Sequence, residues 1–138
     1  MELFTRNKSN KKPIIKQIIE LIPGSMLQIS IAKHESDKFC SKYKTSDHLI
    51  SQMLGQLNKF QTLSHISTAI AVNTTFIGDL GLKQNPARST MSDGNLKRDW
   101  KVFETMYYKL LLHYRMNLAT IAKRQFFPAI AYKNISMV

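Results

Sequence analysis

The chain has a single cysteine, Cys40, in 138 residues. That excludes an internal disulfide framework and any cysteine-cluster zinc site. No apolar run approaches the roughly 20 residues that span a bilayer. The opening Met1-Glu2-Leu3-Phe4-Thr5-Arg6 meets charge too early for a secretory signal. The expectation is a soluble cytoplasmic protein with no membrane partner. Acids are scarce, nine Asp and Glu in all, and none follows Glu104. Metallohydrolases and glycosidases need convergent carboxylates, for which this chain has few candidates. Asp93 and Asp99 are six apart on one predicted helix, which sends them to different faces. His34, His48, His65 and His113 lack an HxxxH-like pairing, and Gly78-Asp79-Leu80-Gly81 lacks the lysine and strand of a phosphate loop. No metal, cofactor or self-sufficient enzyme is expected.

What the chain does have is positive charge. Twenty Lys and Arg leave a formal net charge of +11. An excess of that size concentrates polyanions and fits a nucleic-acid partner, although a merely solvated basic surface has the same composition. At 15.9 kDa and 43% hydrophobic residues, the chain suits one globular domain that folds without metal or disulfide.

Residues 1–12 are polar and basic and read as a flexible arm, with Arg6, Lys8, Lys11 and Lys12 as phosphate contacts. Residues 13–115 read as the folded body. Pro13 suits a helix start, and Ile14, Ile15, Ile18, Ile19 and Ile22 follow at helical spacing up to Pro23-Gly24. Met26, Leu27, Ile29 and Ile31 fit a helix, or a strand by alternation. The polar stretch Lys33–Lys44 reads as a short helix or ordered loop whose aromatic residues, Phe39 and Tyr43, are expected to pin it to the core. Leu49, Ile50, Met53, Leu54, Leu57 and Phe60 form the clearest apolar stripe, a central helix with capping chemistry in Thr45-Ser46-Asp47. Thr62 or Ser64 caps the next short helix, and Gly81 closes another. One helix from about Ser89 to Tyr114, kinked near Gly94, completes the body. Residues 116–138 show no sustained helical face and read as a divergent tail.

The fold class is therefore all-α, a compact bundle of about five or six helices with a helix-turn-helix-like unit. The expected core is Ile18, Ile22, Leu49, Met53, Leu57, Ile66, Ile70, Trp100, Phe103, Met106 and Leu110. In a helix-turn-helix unit one helix braces a second, whose N-terminal side chains enter the major groove. Here that second helix begins Arg88-Ser89-Thr90-Met91-Ser92-Asp93-Gly94-Asn95-Leu96-Lys97-Arg98. Ser89, Thr90 and Ser92 suit phosphates at a helix start, while Arg88, Asn95, Lys97 and Arg98 suit phosphates or base edges. The plainer alternative is a capped helix with a solvated basic face.

The run Asn85-Pro86-Ala87-Arg88-Ser89-Thr90-Met91-Ser92-Asp93-Gly94-Asn95, with Arg98 and Val102-Phe103, resembles a "P-x-R-S-T-L-S-D-A-N-x-x-R … V-F" pattern. That pattern belongs to the N-terminal domain of fourth-family bacterial insertion-sequence transposases. Lys33-His34-Glu35-Ser36-Asp37-Lys38 resembles its "K-H-x-S-D-R" segment, and Thr45-Ser46-Asp47-His48-Leu49 the segment ending "D-H-L". Leu63-Ser64-His65-Ile66 falls where the family has an "S-L-R-D-I" helix. The likeness runs from about Ile14 to Tyr114. It implies recognition of double-stranded DNA at transposon terminal repeats, ahead of a ribonuclease-H-like domain whose Asp-Asp-Glu triad holds metal ions. With no acid after Glu104, none of that triad is present. The expectation is a truncated or frameshifted, catalytically incomplete fragment. The alternatives are a protein–protein assembly module, pairing as a homodimer or with a full-length transposase through the Trp100–Tyr114 face, or a nonfunctional remnant.

Overall fold

The apolar spacing of the isoleucines becomes helix at both ends of the Pro23-Gly24 break. The computed structural model describes residues 12–125, with backbone alone at 76 and 121–125. It contains α1 (Ile14–Glu20), α2 (Gly24–His34), α3 (Thr45–Leu57), α4 (Leu63–Val72), α5 (Thr74–Leu80), α6 (Arg88–Lys97) and α7 (Lys101–Gln125), with no strand among the described residues. The architecture is all-α. Pro23 separates α1 from α2 because its ring removes the amide hydrogen that a continuous helix would need. The two helices bend by 64° there. Together they reach the length and hydropathy of a membrane span, but among the described residues no single helix does.

α3 is the central helix. Its Ile50 and Leu54 are buried with Ile66 and Ile70 of α4, Ile15 of α1, Leu80 and Leu82 around the end of α5, Met91 of α6, and Tyr43. Thr62 Oγ1 caps α4 by accepting from the His65 amide at 3.2 Å. Gly81 ends α5 at φ +81°, a left-handed backbone that costs a glycine nothing. α4 packs against α6, and Ser67 Oγ on α4 donates to Pro86 O at 3.0 Å, tying α4 to the lead-in of α6. The connector between them contains α5, so the unit is three helices rather than two joined by the usual short turn. α7 lies along α2. His34 at the end of α2 shares a 2.7 Å hydrogen bond with Thr105, and Tyr114 donates to Leu21 O.

Several expectations need correction. The helix expected over Ser89–Tyr114 is two helices. It breaks at Arg98, whose backbone is extended (φ −83°, ψ 128°), and Asp99 Oδ1 accepts from the Lys101 amide at the start of α7. Gly94 is not the kink. A Cβ there would lie 2.8 Å from the Tyr43 ring, so the glycine permits close approach of the ring to α6. Trp100 and Leu57, expected in the core, are exposed, and Phe39 is not a pin but stands free. Val102 and Met106 form the buried seam of α7, which begins two residues past Trp100, about half a helical turn round. α7 also continues past Met116 to Gln125, into the segment read as a tail. Residues 126–138, and Arg6, Lys8 and Lys11 of the basic arm, lie outside the described residues. Lys12 Nζ is held by the Glu20 carboxylate at 2.9 Å.

Candidate nucleic-acid interface

Between α2 and α3 the chain is folded by its own side chains. Glu35 sits at φ +47° after α2, while the amides of Glu35 and Ser36 reach back to Ala32 O and Ile31 O, ending the helix in a left-handed cap. Asp37 then fixes the entry to α3, its Oδ1 accepting both the amide and the hydroxyl of Thr45 at 2.7 Å. With the Thr45 hydrogen spent on Asp37, Ser36 Oγ is the donor in its 2.7 Å contact with Thr45 Oγ1. Asp47 Oδ2 accepts from the Lys44 amide at 3.1 Å, and Ser51 Oγ donates to Asp47 O. Thr45, Asp47, His48 and Ser51 are all buried. Buried polar groups at this density are tolerated only when bonded.

Arg98 docks on this cluster. Its Nη1 donates to His48 Nδ1 at 2.8 Å, and its Nη2 donates to Tyr43 O at 2.7 Å and faces Cys40 Sγ at 3.6 Å. The guanidinium carbon lies 5.6 Å from the Tyr43 ring centroid, within cation–π range. An arginine only donates, so His48 Nδ1 must accept and Nε2 must carry the hydrogen. Nε2 accordingly donates to Asn95 Oδ1 at 2.7 Å, an oxygen that also receives Gln52 Nε2 at 3.3 Å. Burial pushes the His48 pKa below its ordinary value, with the Arg98 charge adding to the effect against the bond from Asn95. Burial likewise raises the Tyr43 phenol. The His48 ring meets Phe103 of α7 edge-on at 5.1 Å.

The residues expected to contact DNA therefore divide. Arg98 is corrected: its guanidinium faces the protein and ties the end of α6 and the start of α7 to α3, while Asn95 is exposed and bonds α3 through its Oδ1 alone. Arg88, Ser89 and Lys97 are exposed on α6, while Thr90 and Ser92 are half-buried. Lys97 Nζ lies 3.8 Å from Asp93, a loose pair with both side chains largely in water. The first turn of α6 has no acid, and Ala87 before it provides no side-chain cap. Sequence reading alone did not separate these sets, because an arginine that closes a helix and one that faces a phosphate have the same spacing. The polar pairing of Asp37 with Thr45 was present only as a likeness of motifs.

An open cleft of about 500 Å³ lies between the 35–44 loop and α6, lined by Lys38, Lys42 and Lys97 as well as by Glu35, Asp93 and Asp99. Among the described residues no group of three or more His, Cys, Asp or Glu side chains is placed to hold a metal ion. A family model described as Domain of unknown function (DUF4372) matches residues 10–83, more than half of the chain; α6 and α7 follow the matched range. No curated protein and no solved structure matches the chain significantly.

Proposed function

The chain belongs to the family described as Domain of unknown function (DUF4372), and from that premise we propose that it is a DNA-binding module of a transposase, directed to transposon ends. The observation that carries the reading is the surface of α6. It exposes Arg88, Ser89 and Lys97 on a helix braced by α4, in a chain with a net charge of +11. Arg88 and Ser89 stand at the end where amide hydrogens point outward, which favours phosphate oxygens. Thr90 and Ser92 follow, both half-buried. The motif likeness that suggests a transposase extends through this helix.

The test is fluorescence anisotropy with a labelled duplex at rising salt. If six to ten phosphates are neutralised, affinity falls about 10³–10⁵-fold between 50 and 200 mM salt. Arg88→Glu and Lys97→Glu weaken binding and leave helical circular dichroism intact. A wild-type chain with no salt-dependent duplex binding refutes the proposal.

A second reading, assembly, is favoured by one specific observation. Trp100, Tyr107, Tyr108, Leu111 and Leu112 on and beside α7 are all more than half exposed. Apolar surface of this extent on one helix marks association more often than solvent exposure. Light scattering across a concentration series checks it: a dimer that Tyr108→Glu and Leu112→Glu dissolve, and Lys97→Glu does not, assigns α7 to pairing of subunits. A monomer at every concentration removes self-pairing.

A further inference from the structure

Phe39 is 97% exposed, and its backbone stands at φ +62°. A bulky side chain in the left-handed region is strained, and a solvated benzyl group gains nothing from burial. Folding therefore accounts for neither feature. The turn that presents the ring is well fixed: the Lys38 amide donates to Glu35 O at 3.0 Å and the Cys40 amide to Asp37 O at 3.1 Å. Asp37 is in turn held by Thr45. Lys38 Nζ lies 5.9 Å from the ring centroid.

The cleft beside this loop has a mixed lining. Its volume of about 500 Å³ falls in the range that accepts a small organic ligand. Lys38, Lys42 and Lys97 line it together with three carboxylates. Glu35 pairs with Lys38 at 3.0 Å, Asp93 lies 3.8 Å from Lys97, and Asp99 accepts from the Lys101 amide. A bare phosphate would meet those acids, and an apolar side chain would strip the charges of water. A nucleotide answers both demands: a flat apolar face, hydrogen-bond donors and acceptors on its edge, and an anionic backbone to one side. Stacking on aromatics beside a cationic track is how single strands are held without sequence preference.

We infer that Phe39 and the cleft between the 35–44 loop and α6 bind an unpaired nucleotide of single-stranded nucleic acid. The base stacks on Phe39, and the backbone runs against Lys38, Lys42 and Lys97. This rests on the nucleic-acid partner proposed above and extends it from duplex to single strand.

The experiment compares the full chain with Phe39→Ala and Phe39→Tyr on two probes, a fluorescein-labelled oligodeoxythymidylate and covalently closed duplex DNA. Phe39→Ala is expected to weaken oligonucleotide binding about five- to hundred-fold, Phe39→Tyr to keep it, and neither to change binding of closed duplex. Phe39 is so exposed that circular dichroism should be the same for all three chains. Equal oligonucleotide affinity for wild type and Phe39→Ala overturns the inference, as does a wild type that ignores the oligonucleotide. Parallel loss on both probes overturns it too, because it makes Phe39 a general contact. Oligonucleotide binding that depends on Phe39, with no binding of closed duplex, sinks the duplex reading and leaves this one standing.

Discussion

Replacing Arg98 by alanine separates a residue that holds the fold from one that holds a ligand. The guanidinium makes two short hydrogen bonds, to Tyr43 O at 2.7 Å and to His48 Nδ1 at 2.8 Å, and lies over the Tyr43 ring. A hydrogen bond from a charged group contributes about 1.5–3 kcal/mol, and the ring contact about 0.5–1 kcal/mol more. Against this stands the desolvation of a half-buried charge, whose Nε is buried without a partner. Alanine also strands the Tyr43 carbonyl and the His48 ring nitrogen. The net expectation is a loss of about 3 kcal/mol, or a fall in Tm of roughly 10 °C for a chain of this length. Arg98→Lys keeps the charge, but a single ammonium cannot span both acceptors, so it recovers about half. Arg98→Glu places an acid beside the buried Asp47 region and should unfold the chain, so any loss of DNA binding it produces is secondary. Urea denaturation followed by circular dichroism measures all three. An Arg98→Ala chain as stable as wild type but deficient in duplex binding would refute the inward placement and return Arg98 to the interface.

His48 makes stability depend on pH. Its folded pKa is depressed, so below the unfolded value of about 6.5 the unfolded chain takes up a proton that the folded chain refuses. Stability is then full above that value and declines as pH falls through it, while His48→Gln, which can still accept from Arg98 and donate to Asn95, flattens the profile; urea midpoints with equal slopes for both chains between pH 7.5 and 5 would contradict this. Gly94→Ala should destabilise by about 1–3 kcal/mol because the new methyl meets the Tyr43 ring, reversing the gain of about 1 kcal/mol expected in an exposed helix. A higher Tm for that variant would show that the ring does not rest on α6. Phe39→Gly should raise stability by roughly 0.5–1 kcal/mol, relief of left-handed strain outweighing the added chain entropy. A loss of stability there would mean that the ring packs on the protein after all.

The helical class and most helix positions were legible because apolar spacing is a local signal. Ile50 and Leu54 repeat at four residues, and Thr62 and Gly81 act at helix ends through their own chemistry. The break at Arg98 was not legible. Lys97-Arg98-Asp99 continues a helical pattern, and the partners of the extended Arg98, His48 and Tyr43, lie fifty or more residues earlier. Trp100 failed as a core residue for the same reason: once the helix restarts at Lys101, the buried stripe begins at Val102. Phe39 was assigned inward by hydrophobicity, which carries no information about a left-handed turn that points it out. The separation of Arg88 and Lys97, which face solvent, from Arg98, which docks on His48 and Tyr43, needed coordinates, since all three are cations on one short segment.

That division changes what the shared motifs are for. The Ser36-Asp37, Thr45-Ser46-Asp47-His48 and Asn95…Arg98 segments supported the family likeness by order and spacing, and the structure bonds them in two sets about the start of α3, Ser36 and Asp37 to Thr45, and Asn95 and Arg98 to His48. With Asp37 bonded to Thr45, and His48 bonded to both Arg98 and Asn95, most of these groups have little capacity left for a ligand, and the His48 set joins α6 to α3. In the proposed reading, contact with a partner then falls to Arg88, which belongs to the motif, and to Lys97 on α6 and Phe39 on the loop that the same cluster anchors, which do not. Two chains with the cluster intact can therefore differ at Lys97 and Phe39 without losing the motifs. Exchanging Arg88, Lys97 and Phe39 alone should move affinity and preference without moving Tm, whereas a change within the cluster should move Tm first. An outer triple variant that unfolds, or a cluster variant that alters binding at full stability, would break this separation.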